Sequence, residues 1–426
     1  MSARAGIIVT GTEVLSGRVT DANGPWVSKR LSDLGIDVAH LICVGDRAED
    51  LETALRFLAG SGLDLIITSG GLGPTADDIT AEVVAGFAGR EMVLDEPLEE
   101  RITAIVAEFA KRMKFDPEGL KDGTRKQAMV PEGSIALDPA GTAPGLVVEA
   151  AGTTVVVLPG PPRELQAMWP AAVESGPFAE ILKRSDDYAE ASMKMFGIPE
   201  STLAKSLREI EDEGVDLARL EITTCLRRGA ELEIDVRYSA EAEPLRVALF
   251  DGLRERHEAV IYTETGESID EIVAGLLQGK TIATGESCTG GKLAGRLTDR
   301  PGSSDYVAGG VVAYSNEAKT ALLGVPAELI EAEGAVSPEV AAALAGGAIE
   351  RFGVDLGVGI TGVAGPGGGT EEKPVGYVCF CVASSDGGSM SREVTMPGNR
   401  DDVRDRSVSV AMHMLRRFLR GEELPF

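Results

Sequence analysis

The sequence predicts an α/β protein built as two doubly wound α/β domains joined by a small α+β module. Three observations carry that expectation. The chain has 426 residues, too many for one ordinary core, so two or three domains are expected. In its first and last parts, short runs of Val, Ile and Leu alternate with amphipathic stretches at helical spacing, the pattern of a mostly parallel sheet covered by helices. Between them, two β-prone runs face each other across an Arg-Arg-Gly turn. The parts are placed at 1–170, 171–258 and 259–426.

Composition narrows the function classes. Aromatic residues make up only 4%, so Val, Leu, Ile and Ala must fill the cores. No apolar run is long enough to span a bilayer, and the N-terminal residues lead straight into a strand; no membrane partner and a cytoplasmic location are expected. The five cysteines (43, 225, 288, 379 and 381) are odd in number and contain no C-x-x-C pair. Neither disulfides nor structural zinc are expected. The net charge of −27, from 41 basic and 68 acidic residues, opposes direct nucleic-acid binding, because phosphate backbones would be repelled. The three histidines, His40, His257 and His413, lie in no motif. A hydrolase here must use a base other than imidazole.

In the first part, Gly6–Thr10 reads as a buried strand, followed by Gly-Thr-Glu-Val-Leu-Ser-Gly over 11–17. A helix fits from Asn23, with Trp26, Val27 and Leu31 on one face. Val38–Val44 is the next strand, Leu51, Leu55 and Leu58 mark a helix, and Leu63–Thr68 a third strand. After it comes Ser-Gly-Gly-Leu-Gly-Pro-Thr-Ala-Asp-Asp-Ile-Thr over 69–80. Its glycines allow backbone amides to approach a phosphate, and Asp77 and Asp78 suit a divalent metal. A Gly-rich turn with two helix-capping acids fits the residues equally well. Leu98, Ile102, Ile105, Phe109 and Met113 recur as core positions of a long amphipathic helix, and Leu146–Val148 and Val155–Leu158 are strands.

The middle part reads as strand Ala191–Phe196, helix Pro199–Ile210, and a hairpin of Leu220–Leu226 with Ala230–Tyr238 turning at Arg227-Arg228-Gly229. In the last part, Ile269, Ile272, Val273, Leu276 and Leu277 make an amphipathic helix. The stretch 281–295 then runs from strand through a small-residue turn into a helix marked by Leu293 and Leu297. Such a turn gathers backbone N–H groups, with the helix dipole behind them, beside the Ser287 hydroxyl and the Cys288 thiol. It suits either an anion site or a nucleophile beside an oxyanion hole. A nucleotide P-loop is excluded: Gly291 stands where the lysine must be, and Leu293 follows Lys292.

Gly309–Tyr314 is a strand, Ser315 caps a helix carrying Lys319, and Ser337-Pro338 opens another helix. Strand Leu356–Thr361 leads into Gly-Val-Ala-Gly-Pro-Gly-Gly-Gly over 362–369, glycine-dense enough to imply close backbone approach to a ligand. Strands at Val378–Val382 and Arg392–Thr395 precede a closing helix through Val403, Val410, Met414, Leu415 and Phe418. Ser287, Tyr314, Lys319 and Thr361 fall at strand ends, which in such sheets face one crevice. With no histidine at hand, a lysine of lowered pKa is the plausible base for a serine nucleophile.

These segments resemble the CinA family across nearly the whole chain. The 11–23, 69–80 and 158–165 segments look like its molybdopterin-binding-like domain. There the resemblance assigns Asp46, Asp77 and Asp78 to a divalent metal (magnesium or similar), and Gly70, Gly71, Gly73, Glu13 and Asn23 to substrate. It implies metal-dependent cleavage of ADP-ribose at its pyrophosphate. The middle part is similar to a KH-like module. It lacks the Gly-x-x-Gly loop that clamps RNA, so a spacer or dimerisation module is expected, and with it a homodimer. Glu-Ser-Cys-Thr-Gly-Gly over 286–291, the 310–319 segment and the 360–376 segment resemble the CinA C-terminal domain, a nicotinamide mononucleotide amidohydrolase. That resemblance implies Ser287 as nucleophile, Lys319 as base, Tyr314 and Thr361 as assisting groups, and no cofactor. Arg400, in Pro-Gly-Asn-Arg, is implied to hold substrate phosphate, alongside Gly290, Gly291 and Gly365. Gly285 departs from a usual alanine, and Ala345-Gly-Gly from a usual Ala-Glu-Gly. A non-catalytic pterin- or nucleotide-binding protein linked to competence is the alternative.

Overall fold

The structure, a computed structural model, describes residues 3–113, 121–150, 152–185, 188–227 and 229–424. The chain divides into two compact units, Met1–Asp187 and Tyr188–Phe426.

The first unit contains strands β1 (Arg4–Thr10), β2 (Asp37–Val44), β3 (Leu65–Ser69), β4 (Met92–Leu94), β5 (Met129–Pro131), β6 (Ile135–Leu137), β7 (Gly145–Ala150) and β8 (Thr153–Leu158). Six of them form a sheet in the order β2-β1-β3-β8-β7-β6, and β4 pairs with β5 separately. The pairs β1–β2, β1–β3 and β3–β8 are parallel, whereas β7 and β6 add on antiparallel. Side chains alternate between two cores. Ile7, Val9 and Ile67 meet Val27 and Leu31 of helix Asn23–Asp33 and Leu165, Trp169 and Phe178. Ile8 and Ile66 meet Leu51, Leu55 and Leu58 of helix Ala48–Gly60 and Val84 of helix Thr80–Ala88. Burial on both faces explains why these strands read as continuous apolar runs. Ala172, Phe178 and Ile181, which the sequence reading assigns to the middle part, pack into this first core.

One expected core position is corrected. In helix Glu96–Met113, Leu98, Ile102, Val106 and Ala110 are buried, while Phe109 is 43% exposed. The buried stripe steps by four residues, so it takes small Ala110 and leaves Phe109 outward. The side chain of Met113 and the hairpin residue Arg228 lie outside the described residues.

The second unit opens with an antiparallel sheet of β9 (Tyr188–Phe196), β10 (Glu221–Leu226), β11 (Glu231–Ser239) and β12 (Ile261–Thr263), ordered β10-β11-β9-β12. Helices Glu200–Asp212 and Glu243–His257 pack on it through Leu203, Ile210, Leu249 and Leu253. This is a small α+β module as expected, but its sheet takes in β12, beyond the expected boundary at 258, because β12 pairs with β9. It is followed by β13 (Ile282–Glu286), β14 (Val307–Val312), β15 (Leu356–Gly362), β16 (Tyr377–Ser384) and β17 (Ser389–Thr395), ordered β14-β13-β15-β16-β17. The β13–β14 and β13–β15 pairs are parallel, whereas the β15–β16 and β16–β17 pairs are antiparallel.

Helices cover both faces of this second sheet. Ile269–Leu276, Lys292–Thr298 and Arg400–Arg420 lie over Ile282, Val358, Ile360 and Phe380. On the other face, helix Pro338–Phe352 sits with its backbone directly on β15. A Cβ on Gly359 would stand 2.0 Å from the Ala341 carbonyl oxygen, so only glycine admits the helix at that depth. Phe196 of β9 stacks on His413 of the last helix at 3.9 Å, and the two sheets of this unit thereby share one packed seam.

Candidate functional site

Ser287 follows the last residue of β13, and its amide donates to the Ile360 carbonyl at 2.9 Å. This bond ties the turn to the neighbouring parallel strand and leaves the side chain at the carboxyl end of the sheet. Lys319 comes from helix Asn316–Leu323, whose start is set by Ser315: its hydroxyl accepts from the Ala318 amide at 3.1 Å. The first turn of that helix places Lys319 inward. Its side chain is buried, 2% exposed, and Nζ lies 3.2 Å from Ser287 Oγ. Ser287 is also buried, at 7%. Burial pushes the Lys319 amine below the usual lysine range, because the low-dielectric surroundings disfavour the ammonium. A neutral amine at hydrogen-bond distance from a hydroxyl can take its proton. Two residues 32 apart in sequence are thus brought to hydrogen-bond distance in one buried spot.

The other expected partners of this pair are placed differently from one another. Tyr314 lies beyond the end of β14 rather than within the strand, and it is 59% exposed. Its hydroxyl accepts from Arg400 Nη2 at 2.7 Å, and only its backbone carbonyl, 3.5 Å away, meets Lys319 Nζ. Arg400 also donates to the Gly365 carbonyl at 2.8 Å. Tyr314, Arg400 and the glycine loop are therefore joined as one rim. Thr361 is buried in β15 and its hydroxyl donates to the Ala335 carbonyl at 2.7 Å. Gly290 and Gly291 adopt φ of 61° and 88°, the left-handed region that glycine enters without strain.

In this unit, a residue that sequence reasoning missed is Glu286. It is fully buried, and its carboxylate accepts from the amides of Gly291, Leu293 and Ala294 at 3.0, 3.1 and 2.8 Å and from Thr284 Oγ1 at 3.1 Å. The start of helix Lys292–Thr298 is thereby satisfied from within. The expectation that this helix end faces a ligand is corrected: the carboxylate already occupies it, as electrostatics at a helix N-terminus favours. An acid closing an apolar strand just before a Gly-Gly helix start was the available signal. Burial pushes the Cys288 thiol up to about 12, so this neighbour is an inert, protonated group at neutral pH.

In the first unit, the expected residues come together in a cavity of about 580 Å³ at the carboxyl ends of β1, β3 and β8. Glu13, Asn23, Asp46, Gly70, Gly71, Gly73, Asp77 and Asp78 all line it, where ligands bind in such sheets. Asn23 Nδ2 donates to Ser69 Oγ and to the Gly160 carbonyl, both at 2.7 Å, while its Oδ1 is buried without a partner. A buried, unpaired acceptor suits a ligand hydroxyl or amine. The glycines of the loop answer to the protein's own packing: a Cβ on Gly71 would stand 2.1 Å from Thr80 Oγ1. Gln127 and Glu164 line the same cavity and went unnoticed in the sequence because they lie far from the loop. Burial raises the Glu164 pKa above the usual carboxylate range.

The fit of a divalent cation there is partial. The carboxylates are hard oxygen donors of the right kind. Yet among the described residues no group of three His, Cys, Asp or Glu side chains converges closely enough to hold an ion. Asp46 Oδ2 accepts from the Thr12 amide at 2.8 Å, and Asp78 Oδ2 from the Thr75 amide at 2.9 Å. A hydrogen bond from Thr75 holds the Asp77 carboxyl below the usual range. The residues thus offer oxygen donors but no preformed three-ligand centre among the described residues. Elsewhere, all five cysteines are free, and among the described residues no helix is long and apolar enough to cross a membrane.

Comparison with known proteins matches residues 266–419 to the CinA C-terminal domain and residues 6–177 to a probable molybdopterin binding domain. A CinA-like protein of Mycobacterium sp. (strain MCS) is 57% identical over 420 residues, covering 98% of this chain and 99% of its own. A CinA-like protein of Mycobacterium tuberculosis (strain ATCC 25177 / H37Ra) is 55% identical over 427 residues, covering 99% and 98%. Among solved structures, the competence/damage inducible protein CihA of Agrobacterium tumefaciens is 38% identical, covering 35% of this chain and 94% of its own, with a TM-score of 0.34.

Proposed function

The chain belongs to the CinA family, and from that premise, together with the buried serine–lysine pair, we propose that its second unit hydrolyses the carboxamide of nicotinamide mononucleotide. The observation that carries the reading is the 3.2 Å separation of Lys319 Nζ and Ser287 Oγ. Lys319, neutral, takes the hydroxyl proton as Ser287 Oγ bonds to the amide carbon. The carbon–nitrogen bond then breaks, and the same proton passes to the leaving nitrogen, which departs as ammonia. Water attacks the resulting ester, Lys319 takes a proton from it and returns that proton to Oγ, and nicotinate mononucleotide leaves. Arg400 at the rim is suited to the substrate phosphate through its planar fork of donors. Incubation of the full chain with nicotinamide mononucleotide is expected to release ammonia and nicotinate mononucleotide in equal amounts. Absence of both products sinks the reading.

A second activity is favoured by the cavity of the first unit, whose size and unpaired Asn23 Oδ1 suit a nucleotide diphosphate. We propose that it cleaves ADP-ribose at the pyrophosphate, adding water to give AMP and ribose 5-phosphate. A bound divalent cation would supply charge neutralisation on the phosphates; Asp46, Asp77 and Asp78 would hold it. Asp78→Ala is expected to abolish AMP formation while ammonia release from nicotinamide mononucleotide continues unchanged. If neither product forms but nucleotide or pterin binds, a purely binding role replaces this one.

A further inference from the structure

Tyr314 touches both the Ser287–Lys319 pair and the rim of the site, and its two ends do different things. The backbone on either side of it is pinned. The Ala313 amide donates to the Glu286 carbonyl at 2.8 Å, and the Ser315 hydroxyl caps the next helix. The Tyr314 carbonyl lies 3.5 Å from Lys319 Nζ. Its ring is largely exposed and ends at Arg400, whose Nη2 donates to the phenol oxygen at 2.7 Å. A group that had to pass a proton within the pair would be expected to place its hydroxyl, not its carbonyl, beside Lys319.

A tyrosine hydroxyl has one proton and two lone pairs, and a guanidinium has protons alone. In the bond between them the hydroxyl must accept, which leaves its own proton for another oxygen. Arg400 is oriented in the same way without being neutralised: Nη1 donates to the Gly365 carbonyl at 2.8 Å and Nη2 to Tyr314, both uncharged acceptors. The two acids that follow it in sequence are engaged elsewhere. Asp401 Oδ1 lies 3.9 Å from Arg404 Nη1, and Asp402 Oδ2 accepts from the Asn399 amide at 2.9 Å. Helix starts at this end of the sheet are also taken. Glu286 holds the amides of one, and Asn399 Oδ1 accepts from the Asp401 and Asp402 amides of another at 2.9 and 3.1 Å. An anion arriving at the rim is left with side-chain donors, and Arg400 and Tyr314 are two that already lie together.

We propose that Tyr314 is a specificity-determining residue that, with Arg400, selects a substrate carrying a phosphate monoester. The guanidinium supplies charge, and the Tyr314 hydroxyl donates its free proton to a phosphate oxygen. Separate oxygens of one phosphate can accept from both donors at once. This role replaces the assistance to the Ser287–Lys319 pair that the family resemblance implies for Tyr314. The inference rests on the proposed amide hydrolysis for the identity of the substrate, a nicotinamide nucleotide taken in preference to its riboside. Because the Tyr314 carbonyl meets Lys319, a phosphate held at the ring is held in a fixed relation to the reacting pair.

Calorimetric titration of the full chain with nicotinate mononucleotide and with nicotinate riboside reads binding without turnover. The mononucleotide is expected to bind more tightly. Tyr314→Phe, which keeps the exposed ring, is expected to weaken mononucleotide binding about tenfold and riboside binding by less than about twofold, the reach of one hydrogen bond to a charged group. Arg400→Gln is expected to act in the same selective way, and the double variant to lose less than the product of the two single losses, since both side chains hold one phosphate. In turnover of nicotinamide mononucleotide, the Tyr314→Phe loss is expected in KM rather than in kcat, a split that a general loss of structure does not produce. An equal loss for both ligands, or a loss confined to kcat, overturns the proposal. If no ammonia is released and the selective loss of mononucleotide binding remains, the hydrolysis reading fails while this assignment stands. Absence of binding by either ligand overturns both.

Discussion

Ser287→Ala is expected to lower ammonia release from nicotinamide mononucleotide by at least about a thousandfold, the scale of removing a nucleophile from a unit of cooperating groups. The structure gives no substitute for the lost hydroxyl. Cys288 is adjacent, but it is 4% exposed and its thiol is pushed up to about 12 by burial, so it carries no thiolate at neutral pH. Cys288→Ala is accordingly expected to keep most of the turnover, provided the small cavity it leaves is tolerated. The two variants are measured side by side, with thermal unfolding as the check on folding. Wild-type turnover in Ser287→Ala would remove the nucleophile assignment.

Lys319→Met is expected to cost about a hundred- to ten-thousandfold in kcat/KM, the usual reach of a positioned base. The pH profile gives the sharper readout. The amine works only when neutral, so wild-type kcat/KM rises as pH rises through the Lys319 pKa and is level above it. Because burial holds that pKa below the ordinary lysine value, the plateau begins below about pH 10.4, where a free lysine would place it. Lys319→Met is expected to lose this ascending limb; if the limb survives, the base is another group. Lys319→Arg keeps the length and charge but not the ability to lose a proton, and it is expected to be inactive throughout. Stability follows the same direction in pH. The folded pKa is depressed, so the folded state binds fewer protons than the unfolded one between the two pKa values, and stability rises with pH across that window. Lys319→Met removes this slope and is expected to leave neutral-pH stability equal or higher, since an apolar side chain replaces a desolvated amine.

Much of the architecture was legible because apolar periodicity records which face of each element is buried. The parallel strands of the first unit, helix Asn23–Asp33 and the Ser315 and Ser337 caps all follow from local pattern. Phe109 shows where the pattern is ambiguous. An aromatic beside a stripe that closes on Ala110 reads as core, yet only packing decides which of two adjacent residues faces in. The antiparallel β15–β16 and β16–β17 pairings were equally hidden, since a strand's composition does not record its direction.

For the site, the sequence by itself determined that a serine in a strand-to-helix turn and a lysine in a capped helix were the available chemistry, because histidine is scarce and the P-loop register fails. Only the tertiary structure decided how the polar groups were shared out. Glu286 took the helix start, Tyr314 went to Arg400, and Lys319 was left to Ser287. Those assignments depend on which atoms meet across the ends of strands far apart in sequence. Local spacing fixes a face, whereas the pairing of distant faces follows from burying them together.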